Sequence, residues 1–453
     1  MQPIMLAQSA TRSLLGLCTV ACTALVLLVA PAATEAAPPP SSQRTEVFAP
    51  RAGLPASLSS YPGMGFYVPK QSHHAESQRQ VTSLRQGGNA LLADKLNTMI
   101  STPTATWVLG GTTSAVTSQV KTTTTAAAAR NQIPVLAAYN LPFRDCAQYS
   151  AGGATSVAAY RAWVDALAAG IGARPALVIL EPDGLGIIPW YTKADGTKDW
   201  CQPAEGHPAT AASDRFAMLS YAVGKLKSLP RATVYLDGGH SGWLGVGDIS
   251  NRLVKAGVQR ADGFFLNVSN YETTEKQLRY GSWVAKCIHY GTNAAEGGWR
   301  MGRFADCASQ YYPATPADVT TWFKSDAWYA TNVDRAAGAP SAQKPLKHFV
   351  IDTSRNGRGP WTTALGTYPD AQVWCNPPGR GLGFRPTTAT GHPLADAFLW
   401  VKVPGESDGQ CNRGYSNLGG KDPVWGRIDP AAGRWFPQQA LSVVRNAGAT
   451  VRR

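Results

Sequence analysis

Charge is scarce in this chain: Asp, Glu, Lys and Arg make up only 16% of its 453 residues. Acidic side chains are the scarcer kind, which leaves a net charge of +13. Such a surplus serves nucleic-acid binding when it is gathered into a run or a face. Here Lys and Arg are scattered and no nucleic-acid-binding signature accompanies them, so no nucleic-acid partner is expected. Histidine is also rare, at seven residues. The cysteines form no C-x-x-C pair and have no matching His pair, which argues against zinc. Without clustered His or Cys a metal hydrolase is disfavoured, and neither a metal nor a cofactor is expected. The G-x-S-x-G elbow of serine hydrolases is missing, as are a phosphate loop and a dinucleotide fingerprint. There is no internal repeat, and no membrane span is expected beyond the N-terminal stretch.

What is abundant is apolar and loop-forming. Hydrophobic residues reach 44%, with 45 Gly, 32 Pro and 14 Trp. This suits a loop-rich exported protein with aromatic surfaces. Arg12 precedes an apolar stretch, Leu14 to Ala30, which ends in P-A-A-T-E-A-A-P-P-P. Basic residue, apolar core and small-residue exit read as a secretory signal peptide over residues 1–36, so the protein is expected to be secreted, extracellular and free of membrane after cleavage. Residues 37–60 read as a Pro/Ser-rich arm, and 61–453 as one catalytic domain, monomeric by default. Cys18 and Cys22 leave with the signal peptide. The other six of the eight cysteines allow fifteen pairings. Sequence neighbourhood favours Cys146–Cys201, Cys287–Cys307 and Cys375–Cys411.

Seven short β-type runs recur in the body: Ala105–Leu109, Pro134–Tyr139, Ala176–Leu180, Thr233–Leu236, Gly263–Val268, His348–Ile351 and Ala397–Val403. Helical spacing lies between them, as in Thr155–Gly170 and Ala211–Leu229. The Thr/Ala-rich patch at 112–129 reads as a helix with its loop. Alternating strands and helices predict an α/β fold with a parallel sheet. Seven strands over this length fit a closed or nearly closed β/α barrel better than a small open sheet, with a doubly wound sheet as the alternative.

Polar residues collect where the strands end. Y-N-L-P-F-R-D-C (Tyr139 to Cys146) follows the second run, E-P-D (Glu181 to Asp183) the third, and D-G-G-H-S-G-W (Asp237 to Trp243) the fourth. N-V-S-N-Y, D-T-S-R-N-G and K-V-P-G-E-S-D-G close the next three. In barrels that rim carries the active site. Carboxylates and amides with Trp107, Trp243 and Trp374 nearby suit a polysaccharide, because pyranose faces stack on indoles and hydroxyls bond to polar groups. Asp183, placed against an apolar strand end, has surroundings that raise a pKa and reads as a general acid. Paired carboxylates are the usual machinery of glycosidic cleavage.

Three of these motifs, Tyr139 to Cys146, Leu177 to Gly184 and Lys402 to Gly409, closely resemble the signatures of glycoside hydrolase family 6, the inverting cellulases. The resemblance covers roughly residues 60–450. It implies a distorted seven-stranded TIM-like β/α barrel with the active site at the strand C-terminal rim, covered by long loops. It implies Asp183 as proton donor, Asp145 as the carboxylate that keeps it protonated, and Asp408 as the base. Tyr139 would sit at the reacting sugar and Asp237 would be an ancillary carboxylate. Trp107, His240, Trp243, Asn270, Trp374, Lys402 and Glu406 match sugar-binding positions, and Arg355 an arginine near the cleft. Cys146–Cys201 and Cys375–Cys411 match the two family disulfides. Competing structural readings are a surface ion pair for Arg144–Asp145 and a cap for Asp237. Some members carry a second tryptophan three residues after the position of Trp243; this chain has Val246 there.

The implied substrate is cellulose or a cellooligosaccharide. Long segments at Ile187–Pro208, Trp283–Pro313 and Gln410–Arg434, the middle one with its own cysteine pair, suggest an ordered roof and release of cellobiose from non-reducing ends. An open-cleft endoglucanase is the alternative, and a catalytically silent carbohydrate-binding protein is the alternative from another class.

Overall fold

The computed structural model describes residue 58 and residues 63–193, 196–292 and 298–448. Residues 1–36, read from the sequence as a signal peptide, and most of the expected arm therefore lie outside the described residues. The strands in chain order are β1 (Gly65–Phe66), β2 (Thr106–Val108), β3 (Gln132–Ile133), β4 (Val135–Ala138), β5 (Ala176–Leu180), β6 (Ala232–Asp237), β7 (Gly263–Leu266), β8 (His348–Asp352) and β9 (Ala395–Leu399). Seven of them form one sheet in the order β2-β4-β5-β6-β7-β8-β9, every neighbouring pair parallel. All seven coincide with the apolar runs of the sequence. The sequence reading did not anticipate β1 and β3, which pair with each other. Two-residue strands carry too little pattern to be seen.

The apolar alternation within each strand divides two cores. Leu177 and Ile179 of β5 cluster with Val135, Ala137, Tyr235, Phe265, Val350, Ala397 and Leu399, the barrel interior. Their neighbours Val178 and Leu180 cluster instead with residues of the surrounding helices. A strand buried on both faces has no polar face, so these segments read as continuous apolar runs. The ring is not closed by a ladder between β2 and β9. Ala105 N donates to Trp400 O at 3.0 Å and the Trp107 indole to Val401 O at 3.0 Å, and these two bonds span the seam. This is the distortion of the barrel.

Helices α1 (His74–Gln86), α2 (Ala90–Ile100), α3 (Thr113–Ala128), α4 (Val157–Ile171), α5 (Ala211–Lys227), α6 (Val246–Lys255), α7 (Thr274–Thr292), α8 (Phe323–Tyr329) and α9 (Pro437–Arg445) fill the outside. The Thr/Ala patch is α3, whose Thr112 side chain accepts the amide of Ala115 at 3.3 Å as an N-cap. None of the helices among the described residues is long and apolar enough to cross a membrane.

One expectation needs correction. The segment Trp283–Pro313 is not a free loop: α7 continues through residue 292, and Cys287 is buried within it. Its disulfide to Cys307, with Cα atoms 5.9 Å apart, fastens that helix to the turn at Phe304–Asp306. The spacing of Tyr280, Trp283, Val284, Cys287 and Ile288 carries the helical signal. The Ile187–Pro208 segment is likewise anchored outward, where Tyr191 packs on Phe216 of α5 at 6.0 Å and under Arg252 of α6 at 4.4 Å.

Ile179 has no exposed surface. Ile179→Ala should cost about 2–5 kcal/mol by leaving a cavity in the barrel interior. This would be seen as a lower urea midpoint with an unchanged slope; an unmoved midpoint would contradict this account of the core.

Candidate active site

Each strand on one side of the barrel ends in a polar residue, and each is held by backbone. Glu181, directly after β5, is fully buried and accepts the amides of Asn140 at 2.9 Å and Leu141 at 3.1 Å. It thereby fixes the loop that carries Asp145. Asp237, the last residue of β6, accepts Leu185 N at 3.0 Å, Gly186 N at 3.1 Å and Gly239 N at 2.9 Å. The capping reading of Asp237 is thus present in the structure, and the loop it caps is the one that follows Asp183. Arg215 of α5 ties the same loops from behind, donating to Gly184 O, Ile187 O and Pro142 O at 2.8–2.9 Å. Sequence reasoning singled out neither Glu181 as an anchor nor Arg215.

Asp183 stands half-buried between these anchors, with a backbone φ of +61°. Glu181 and Asp145 share this left-handed conformation at +59° and +58°. Residues other than glycine adopt it at a cost, and such residues gather at functional sites. Burial pushes the Asp183 carboxyl well above the ordinary carboxylate range, and the charges of Asp237 and then Asp145 push it further. The resemblance implied Asp145 as the supporting carboxylate; in the structure Asp237 acts more strongly. Burial also raises Asp237 and Asp145, each to about 6. Amide donors counter that rise: three at Asp237, and Ser150 N at 2.7 Å on Asp145. In a cluster of three carboxyls the proton therefore settles on Asp183, the one without such donors in its balance.

Arg144 is not simply a surface partner of Asp145. Its guanidinium donates to Ser150 O, Tyr139 O and Ala151 O at 2.8–3.2 Å. It also lies 4.9 Å from the Tyr139 ring centre. Tyr139 meets Trp107 edge-on at 5.5 Å, and burial followed by Asp183 and Asp145 raises its hydroxyl well above the usual value. Trp107, Tyr139, Asp145, Asp183 and Asp237 therefore form one constellation.

Asp408 belongs to a second one. Its Oδ2 accepts from Arg355 at 2.9 Å, Asn376 N at 2.9 Å and the Tyr271 hydroxyl at 3.1 Å, and Lys402 Nζ lies 3.6 Å from Oδ1. Burial raises this carboxyl, yet Arg355 and Lys402 outweigh it, so its pKa falls below the ordinary value. Arg355 also stacks on Tyr271 at 4.5 Å. Asn376 is the hub that sequence reasoning missed. Its side-chain oxygen accepts Asp408 N at 2.8 Å, and its amide reaches Ser407 Oγ, Gly409 O and Asp429 at 2.8–3.0 Å.

The two constellations touch through Tyr149. A Cβ on Gly409, next to Asp408, would lie 2.4 Å from the Tyr149 side chain, which packs against Trp374 at 5.9 Å. Tyr149 shares a loop with Asp145, and Trp374 adjoins Cys375. The disulfides Cys146–Cys201 and Cys375–Cys411 hold these loops, with Cα separations of 5.8 and 6.0 Å. On the other side, Trp243 packs closely on Gly186, where a Cβ would sit 2.1 Å from the indole, and beside His240 at 5.8 Å. Burial lowers His240 to about 4, so its imidazole is neutral near neutral pH. Two of the expected positions stand apart. Glu406 is buried in a 3.0 Å pair with His73, and the Asn270 amide turns back onto Val268 O at 3.2 Å.

A parallel barrel whose rim carries a carboxyl raised toward its acid form, an ion-paired carboxylate and aromatic rings suits hydrolysis of glycosidic bonds. The family model described as Glycosyl hydrolases family 6 matches residues 61–447, and the chain belongs to that family. It is 34% identical to Endoglucanase 1 of Streptomyces sp. (strain KSM-9) over 386 residues, 84% of either chain. It is 30% identical over 328 residues to the probable 1,4-beta-D-glucan cellobiohydrolase C of Aspergillus terreus, covering 68% of this chain and 58% of that protein's length. Among solved structures, the endoglucanase Cel6 of Mycobacterium tuberculosis, in complex with methyl-cellobiosyl-4-deoxy-4-thio-beta-D-cellobioside, is similar with a TM-score of 0.57 and 33% identity, over 85% of this chain and 98% of that one.

The anion at Asp237 makes deprotonation of Asp183 harder, so the alkaline limb of the activity profile lies at higher pH than Asp183 alone would set. Asp237→Asn removes that charge and should move the alkaline limb of kcat/KM to lower pH. A limb that stays in place while activity falls would leave Asp237 as a loop anchor alone.

Proposed function

We propose that this protein hydrolyses β-1,4-glucosidic bonds of cellulose with inversion, acting within chains from an open cleft, and that it works outside the cell. The observation that carries the reading is the division of protonation states on one rim: Asp183 driven to its acid form, Asp408 held as an anion. Inverting cleavage needs that division, an acid on the leaving oxygen and a carboxylate on the opposite face.

In this mechanism Asp183 protonates the glycosidic oxygen as the bond breaks, and Asp145 and Asp237 keep it loaded beforehand. Tyr139, beside Trp107, faces the sugar whose ring flattens toward an oxocarbenium ion. Asp408 is a weak base, since Arg355 and Lys402 stabilise its charged form. Its carboxylate opposes the positive charge that develops at the anomeric carbon. It takes the proton of the attacking water once that water has bonded to carbon and become strongly acidic. Trp243 and Trp374 supply stacking faces, with His240 and Lys402 as polar contacts around the chain.

Loop length in the sequence favoured release of cellobiose from chain ends. Two findings favour endo action instead. The segment with the extra disulfide is helix α7 with its turn, and Ile187–Pro208 is anchored on α5 and α6, so neither provides a free roof over the rim. The Streptomyces relative, 34% identical, and the Mycobacterium tuberculosis structure, 33% identical, are both called endoglucanases. Three disulfides suit an exported protein, and residues 61–453 are proposed as a single catalytic domain.

Asp183→Asn should lose about 10²–10⁴-fold on cellulose, and far less on an aryl cellobioside whose dinitrophenolate leaves without a proton. Equal losses on both would remove Asp183 as the acid, and full retention would favour a binding protein without catalysis. On end-labelled cellooligosaccharides, internal products and a first product in the α form by proton NMR are expected. Cellobiose alone from the non-reducing end would restore the exo reading, and a β product would refute inversion.

A further inference from the structure

The turn after Cys307 places an exposed aromatic ring beside the rim. The Tyr311 hydroxyl donates to Trp243 O at 3.0 Å, and its ring lies 3.9 Å from where a Cβ on Gly245 would stand. Yet 45% of Tyr311 is open to solvent, and the next residue, Tyr312, is 80% exposed. The hydroxyl is thus secured while nearly half of the residue stays open to solvent.

The turn that presents it is rigidly built. Gln310 is fully buried and its amide donates to Ser241 O and Leu244 O, both at 2.9 Å, which joins the turn to the loop carrying Trp243. Ser309 Oγ accepts Tyr311 N at 3.1 Å and Tyr312 N at 3.3 Å. Ser325 of α8 donates to Ser309 O at 2.7 Å. The Cys287–Cys307 bridge fastens the approach to α7. Three elements thus hold the Tyr311 turn against the loop of Trp243. Within the loop of Trp243 itself nothing else extends the aromatic surface, because Val246 is fully buried at the start of α6.

We propose that Tyr311 is a distal sugar-stacking site, continuing the cleft past Trp243 and taking a glucosyl unit of a long β-1,4-glucan. The proposal rests on the functional reading given above. It assigns the third disulfide a purpose: the bridge supports a platform at the rim.

The test compares substrate lengths. The ratio of kcat/KM for cellohexaose to that for cellotriose should fall about three- to tenfold in Tyr311→Ala, the loss of one aromatic stacking contact. This ratio does not depend on the fraction of enzyme folded. Tyr311→Phe keeps the ring and should keep most of the ratio. An unchanged ratio in Tyr311→Ala overturns the proposal. Equal losses in the Phe and Ala variants also overturn it, since the effect would then belong to the bond on Trp243 O. A wild type that cleaves neither oligosaccharide refutes the functional reading itself, and this proposal with it.

Discussion

Parallel strands that end together leave a rim of backbone amides without ladder partners, and buried amides must find acceptors. In this barrel carboxylates provide them. Glu181 after β5, Asp237 at the end of β6 and Asp352 at the end of β8 all lie buried. Asp352 accepts Ser354 N at 2.9 Å, Lys402 N at 3.0 Å and Ser269 N at 3.2 Å. Asn267 after β7 does the same work with both ends of its amide, accepting Glu272 N and donating to Asp352 O. The loops that carry Asp145, Asp183 and Asp408 are placed by these contacts.

The same constraint creates the chemistry. A carboxylate buried for structural reasons is costly to ionise, and a second one nearby costs more. Glu181 is raised to about 7 by burial despite its amide donors, and Asp237 to about 6. Asp183 stands beside such groups, so its proton is retained first by its own burial and then by the charges of Asp237 and Asp145. On the other side Arg355 and Lys402 reverse the balance for Asp408. An acid and an anion on one rim follow from where the cations are placed.

Much of this was legible in the sequence, but its meaning was mixed. The seven sheet strands stood out because both faces are buried, and the polar strand ends stood out because each breaks an apolar run. The sequence pattern merges two populations there. The Asp183 carboxyl takes no backbone amide among the described residues, whereas Glu181, Asn267 and Asp352 point into backbone. A residue type after a strand does not say which way its carboxylate turns. Asn376, Arg215 and Tyr149 were not legible at all, since the groups their side chains bond are 28 to 223 residues away in the chain. Helix α7 was missed past Trp283 because its glycines and cysteine obscured a spacing that was present.

Several non-glycine residues of these loops keep left-handed backbone, among them Asp145, Cys146, Glu181, Asp183, Asn267 and Asn376. Each costs about 1–3 kcal/mol and persists only where its surroundings over-determine it. Those surroundings are present: Cys146 is in a disulfide, Glu181 accepts amides, and Asn376 uses both ends of its side chain. Asp183 is the exception, held by its neighbours and not by bonds of its own carboxyl. A general acid must give up its proton and take it back at each turnover, so a carboxyl fixed by amide donors would be a poorer acid. The rim fastens the loops around Asp183 and leaves its carboxyl without an amide donor, as the proposed acid requires.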